Sequence, residues 1–93
     1  MGRKFLNFCK KYKIAAFILF GSEASGKTNK LSDIDIAYLP QKKLSLKQED
    51  TLFLEVSKLF RRDDIDMVDL RKAHITLKYS IINSGKLLAC IDQ

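Results

Sequence analysis

Phe5, Phe8, Cys9 and Tyr12 fall at i, i+3, i+4 and i+7, the spacing that lines one face of an amphipathic helix. Ile14-Ala-Ala-Phe-Ile-Leu-Phe20 follows as an apolar run and stops at Gly21-Ser22, so it predicts a short buried strand. Residues 21–32 are rich in Gly, Ser, Thr, Asn and Lys and predict a loop, with at most a helical turn. From Asp33 to Leu39 polar and apolar positions alternate until Pro40, which predicts a second strand with one wet face.

Ser45 followed by Gln48 has the form of a capping box, and the helix behind it carries Leu52, Val56, Leu59 and Phe60 on one face. Arg61 and Arg62 close that helix, where cations suit the macrodipole. Asp64-Ile-Asp-Met-Val-Asp-Leu70 alternates again and predicts a third strand. A last helix over about 72–83 ends before Gly85, a C′ residue, and Lys86 to Ile91 adds a short edge strand. The order helix, strand, strand, helix, strand, helix, strand predicts an α/β (α+β) fold with one mixed sheet of three to four strands packed with helices. The helix between the second and third strands makes that pair parallel, and the loop between the first two allows an antiparallel pair.

Ninety-three residues are enough for one domain, taken as residues 1–93. With 46% hydrophobic and 30% charged residues the chain is expected to be globular rather than disordered. Its core is small, so a partner subunit is expected to cover part of the apolar surface. Seventeen Lys and Arg against eleven Asp and Glu give a net charge of +6, which favours polyanionic partners without choosing among nucleic acid, nucleotide phosphates and an acidic protein. Cys9 and Cys90 both lie among apolar residues and are expected as buried free thiols in a reducing compartment, a bridge between them being the lesser alternative. Lysines 4, 10, 11 and 13 before the Ile14–Phe20 run imitate a secretion signal, but seven apolar residues beginning this late are too few. No stretch approaches the ~20 apolar residues of a membrane span, so a cytoplasmic location is expected.

Two phosphate-binding patterns compete at one place. Gly21-Ser-Glu-Ala-Ser-Gly-Lys-Thr28 fits the P-loop form G-x-x-x-x-G-K-T after a strand. A P-loop opens into a crossover helix of ~10 residues or more, whereas only Asn29 to Ser32 separate Thr28 from the next strand. The second pattern is Gly21-Ser22, ten residues, then Asp33-Ile34-Asp35. Strand side chains repeat every two residues, so Asp33 and Asp35 share a face while Ile34 and Ile36 point into the core. Paired carboxylates suit magnesium, a hard ion that prefers oxygen ligands, and Gly21 allows backbone amides and the Ser22 hydroxyl to approach a phosphate. A wet-faced strand explains Asp-Ile-Asp-Ile equally well on its own. Asp66 tips the balance: it stands mid-strand, where Asp is disfavoured, and three converging carboxylates repel one another unless cations neutralise them.

The set Gly21-Ser22, Asp33, Asp35 and Asp66 resembles the minimal nucleotidyltransferase family of the DNA polymerase β superfamily, over roughly residues 12–88. Ser32-Asp-Ile-Asp-Ile36 and the tail Ile82-Asn-Ser-Gly-Lys86 are similar to that family as well. In one place the chain departs: where members often carry Ala-Arg-Gly it has Ala24-Ser25-Gly26, and Lys27 offers replacement charge, as a point charge rather than a bidentate fork. The resemblance implies the small nucleotidyltransferase fold, ATP as donor and two magnesium ions held by Asp33 and Asp35. Asp66 would ligate one ion and act as base on the acceptor hydroxyl, and Gly21 and Ser22 would hold the β- and γ-phosphates. Of the remaining residues, Asp64 is a lesser ligand candidate and Asp69 faces the opposite way. His74 is expected on a helix surface, and Tyr12, Tyr38 and Tyr79 as packing residues with wet hydroxyls.

Larger relatives carry extra domains that select the acceptor, so here a partner protein is expected to provide it. The resemblance implies a HEPN-domain toxin as that partner in a hetero-oligomer, with this chain as an antitoxin that transfers AMP to it. The alternative is a catalytically weak or inactive binding module of the same fold that neutralises its partner by contact. A nucleic-acid-binding domain ranks last because it leaves the strand aspartates unexplained, and no membrane contact is expected.

Overall fold

The computed structural model describes residues 2–20 and 34–91. Along the chain come α1 (Gly2–Tyr12), β1 (Ile14–Phe20), β2 (Ile34–Pro40), α2 (Leu46–Phe60), β3 (Ile65–Asp69), α3 (Ile75–Ser84) and β4 (Lys86–Cys90). The four strands form one mixed sheet in the order β3-β2-β1-β4. β1 runs antiparallel to both β2 and β4, whereas β2 and β3 are parallel, joined through α2. The expected element order, the parallel pair and the edge position of the last strand are all met.

Alternation along the strands divides the apolar residues between two faces. Ile34, Ile36 and Tyr38 of β2 join Phe5, Cys9 and Tyr12 of α1 and Leu52 and Val56 of α2 in the larger core. Phe5 lies at its centre, its ring centroid 5.0 Å from that of Phe17 and 6.1 Å from that of Phe60. Both Phe5 and Phe17 are fully buried, each stabilising the fold by about 1.5–3 kcal/mol. On the other face Ala37 and Leu70 pack with Ile81 of α3 in a smaller cluster, bordered by Ile18, Phe20 and Val68.

The capping box of α2 forms as expected: the Gln48 amide donates to Ser45 Oγ at 3.1 Å, and Gln48 Oε1 accepts from the Ser45 amide at 3.0 Å. Elsewhere the structure corrects the sequence reading. α3 starts at Ile75 rather than near 72, because Asp69 organises a turn first: its Oδ1 accepts from the Arg71 amide at 2.8 Å and its carbonyl from those of Lys72 and Ala73. His74 then caps the helix, its Nδ1 accepting from the Thr76 amide at 3.3 Å. Pro40 lies inside β2 as its last residue, opposite Ile14, so the strand runs one residue further than Leu39. Both thiols are free, yet only Cys9 is buried; Cys90 is exposed on the edge strand β4. Burial raises the Cys9 thiol pKa above its ordinary value, with the neighbouring Cys90 adding to it. The hydroxyls of Tyr12 and Tyr38 are not left to water: they donate to Glu55 and, at 3.3 Å, to Glu49. Among the described residues no helix is long and apolar enough to cross a membrane.

Candidate functional site

Asp35 is the second residue of β2 and Asp66 the second of β3, and the parallel register sets them directly opposite one another. The register follows from burial. Ile34 and Ile65, also partners, both enter the larger core, and a slip by one residue would bring the aspartates there instead. The Ile34 amide donates to the Asp64 carbonyl at 3.1 Å, locking the start of β2 to that of β3. Neighbouring strands lie about 4.8 Å apart, so the two carboxyl groups leave the sheet side by side on the face opposite the isoleucines. Asp66 is exposed and Asp35 half-buried.

Phe20, the last residue of β1, pairs with Asp35 on its other side. The carboxylate pair therefore stands at the end of the sheet where β1 stops and β2 begins. Of the six residues expected at the site, the structure brings Asp35 and Asp66 together; Gly21, Ser22, Lys27 and Asp33 lie outside the described residues, as does the Ala24-Ser25-Gly26 departure. Two adjacent carboxylates repel, and a divalent cation between them relieves that repulsion, so the donor chemistry fits magnesium. Among the described residues there is no group of three metal-ligating side chains.

The nearby acids are engaged elsewhere. Asp64 forms a forked pair with Arg62, whose Nε donates to Oδ1 at 2.7 Å, and this holds the Asp64 carboxyl below its ordinary pKa. Asp69 lies opposite Tyr38 on the α1–α2 side, and its charge, after burial, helps raise the Tyr38 phenol pKa. The P-loop alternative also meets an obstacle. Both neighbours of β1 run antiparallel to it, whereas a P-loop belongs to a parallel strand–helix–strand unit.

A family model described as polymerase beta, nucleotidyltransferase, matches residues 3–93. The chain belongs to this nucleotidyltransferase family. Solved structures agree in fold. A toxin–antitoxin structure with AMP-PNP contains a chain 30% identical to this nucleotidyltransferase, with a TM-score of 0.79, covering 99% of this chain and 75% of that one. A chain in the structure of a tri-AMPylated Shewanella oneidensis HEPN toxin in complex with an MNT antitoxin gives 29% identity and a TM-score of 0.62 over 95% of this chain and 71% of that one. A protein described as a minimal nucleotidyltransferase, at 21% identity and a TM-score of 0.78 over 90% and 85% of the two chains, shares the fold. Among curated protein sequences none matches the nucleotidyltransferase.

Proposed function

We propose that this nucleotidyltransferase transfers AMP from ATP to a hydroxyl group of a partner protein, in a magnesium-dependent reaction, as the antitoxin of a HEPN-type toxin. The observation that carries the reading is the in-register pair Asp35 and Asp66 on one face of the sheet. Membership of the family supports nucleotidyl transfer. The similar chains solved with AMP-PNP and with an AMPylated HEPN toxin support the donor and the partner.

In this reading Asp33 and Asp35 hold two magnesium ions, and Asp66 ligates one of them. The ions supply charge neutralisation of the triphosphate. Gly21 and Ser22 hold the β- and γ-phosphates, with Lys27 adding positive charge. Asp66 accepts the proton of the acceptor hydroxyl as its oxygen bonds to the α-phosphorus. The bond from that phosphorus to the β-bridging oxygen breaks, and pyrophosphate leaves in line. The protein contributes mainly positioning and electrostatics, which a small scaffold can provide.

The test is incubation with a HEPN-domain partner, α-labelled ATP and magnesium. Label should appear on the partner and fall on the order of 100-fold or more with Asp35→Asn or Asp66→Asn, since even outer-shell changes at metal sites cost 10–100-fold. Unlabelled partner alongside a working control enzyme would remove the reading. The Ala24-Ser25-Gly26 departure motivates a second reading, neutralisation by contact alone. Protection against the toxin that survives the double change Asp35→Asn and Asp66→Asn would favour it.

A further inference from the structure

The end of the sheet opposite the carboxylate pair is cationic at every chain reversal. Lys11 stands in the last turn of α1 and Lys13 in the α1–β1 turn, the β2–α2 connection carries Lys42 and Lys43, and the β3–α3 turn Arg71 and Lys72. These reversals adjoin: the Gln41 amide donates to the Lys13 carbonyl at 2.9 Å, and the Leu70 amide to the Tyr38 carbonyl at 2.9 Å. A cavity of about 280 Å³ is lined by Lys43, Asp69, Arg71 and Lys72. A second, of about 220 Å³, has Lys11, Lys13, Lys42 and Lys43 in its wall, so Lys43 joins the two into one track.

Four carboxylates lie near this end; Asp50, in the second turn of α2, is exposed, and the other three each have a local task. Glu55 binds Lys11 at 2.7 Å and the Tyr12 hydroxyl, Glu49 accepts from Tyr38 and lies 3.8 Å from Lys72, and Asp69 holds the Arg71 amide. Among the described residues no carboxylate pairs with Lys13, Lys42, Lys43 or the Arg71 guanidinium. Both α2 and α3 begin here, which adds the positive ends of two macrodipoles. One amide at each start is taken up by the cap, that of Gln48 by Ser45 and that of Thr76 by His74, and the surface is read here by its charge.

We infer that this basic end binds the phosphate backbone of a nucleic acid, at a site distinct from the carboxylate pair and independent of magnesium. The composition decides between polyanions. Protein interfaces are depleted in Lys and centred on aromatic or other apolar anchors, whereas here the apolar members of the track's walls, Tyr12 and Leu44, are buried. Backbone phosphates are bound by just such Lys and Arg clusters, without base reading. The distance to Asp35, five strand residues from Pro40, is roughly 15 Å, so the two sites do not overlap.

The test is fluorescence anisotropy of labelled 20-nucleotide oligouridylate and oligothymidylate in EDTA, with the full chain. Both should bind at 50 mM salt, and affinity should fall about 10- to 100-fold by 200 mM, as expected for three or four phosphate contacts. The double variants Lys42→Gln/Lys43→Gln and Arg71→Gln/Lys72→Gln should each weaken binding at least about five-fold and flatten the salt slope by about 1. Lys58→Gln/Lys86→Gln, the same charge loss at exposed positions toward the carboxylate end, should change affinity less than two-fold. Since the wild-type salt slope needs no variant, misfolding of a double variant does not decide the matter. Absence of binding at 50 mM salt, an affinity indifferent to salt, or equal losses in the Lys58/Lys86 variant would overturn the inference. So would poly-glutamate of matched charge binding as tightly as the oligonucleotides, which would reassign this end to an acidic protein.

Discussion

Glu55 gathers two donors from α1, Lys11 Nζ at 2.7 Å and the Tyr12 hydroxyl, and so ties α2 to the first helix across 43 residues of sequence. These bonds, Lys11 first and Tyr12 second, hold its carboxyl below the ordinary pKa of 4.5. The Tyr12 phenol is raised in turn, chiefly by burial and then by Glu55, so the proton stays on the tyrosine. A depressed carboxyl takes up a proton less readily in the folded state than in the unfolded chain. Its stabilisation is therefore complete above the ordinary pKa and is lost as the pH falls through the depressed one. Urea denaturation of wild type and Glu55→Gln should show a wild-type advantage of up to about 1 kcal/mol at pH 7 that shrinks toward pH 3. An advantage that stays constant over that range would mean that the carboxylate charge is not what matters here.

At the scale of elements, two junctions test how the chain turns. α2 ends on Arg61 in the left-handed region at φ 57°, with the Arg62 amide reaching back to the Ser57 carbonyl at 3.1 Å. Glycine suits such a position, and a side chain there costs about 1 kcal/mol. Arg61→Gly should thus raise the melting temperature by a few degrees in a thermal scan, the exposed side chain losing no packing. At Gly85 the backbone φ is ordinary but space is not: an added Cβ would come within 2.4 Å of both Ile18 Cγ2 and the Ile81 carbonyl oxygen. Gly85→Ala should lower stability by about 1–3 kcal/mol, since a carbonyl cannot move aside as a flexible side chain can. Unchanged unfolding in urea would show that α3 and β4 are not joined this tightly.

These junctions also mark where the sequence stops being legible. The capping box, the amphipathic stripes and the strand alternation are local patterns, and each produced its element. Gly85 was readable as the end of α3, but its contact with Ile18 depends on tertiary packing. The partners of Tyr12 and Tyr38, the cap at His74 and the exposure of Cys90 likewise depend on which elements meet. For the site, alternation puts Asp35 and Asp66 each on a wet face, yet their alignment needs the pairing of Ile34 with Ile65, which no local pattern encodes.

For the molecule as a whole, the sheet separates two chemistries, with the carboxylate pair where β1 gives way to β2 and cations at the far end. The two helices over the larger core turn Phe5, Cys9, Leu52 and Val56 inward, whereas α3 buries only Ile81. Its Ile75, Tyr79 and Ile82, at i, i+4 and i+7, are 68%, 68% and 69% exposed. The outward stripe therefore adds little to the stability of the isolated chain, whose α3 side is held by Ile81 against Ala37 and Leu70. Replacing both isoleucines by glutamine should shift the unfolding free energy by no more than about 0.5 kcal/mol, the range of ordinary surface changes. Ile81→Ala, one residue from Ile82 but fully buried, should cost about 2–5 kcal/mol. Equilibrium urea denaturation of the two variants side by side decides the matter. A large loss from the Ile75/Ile82 pair would mean that α3 presents a different face to the sheet.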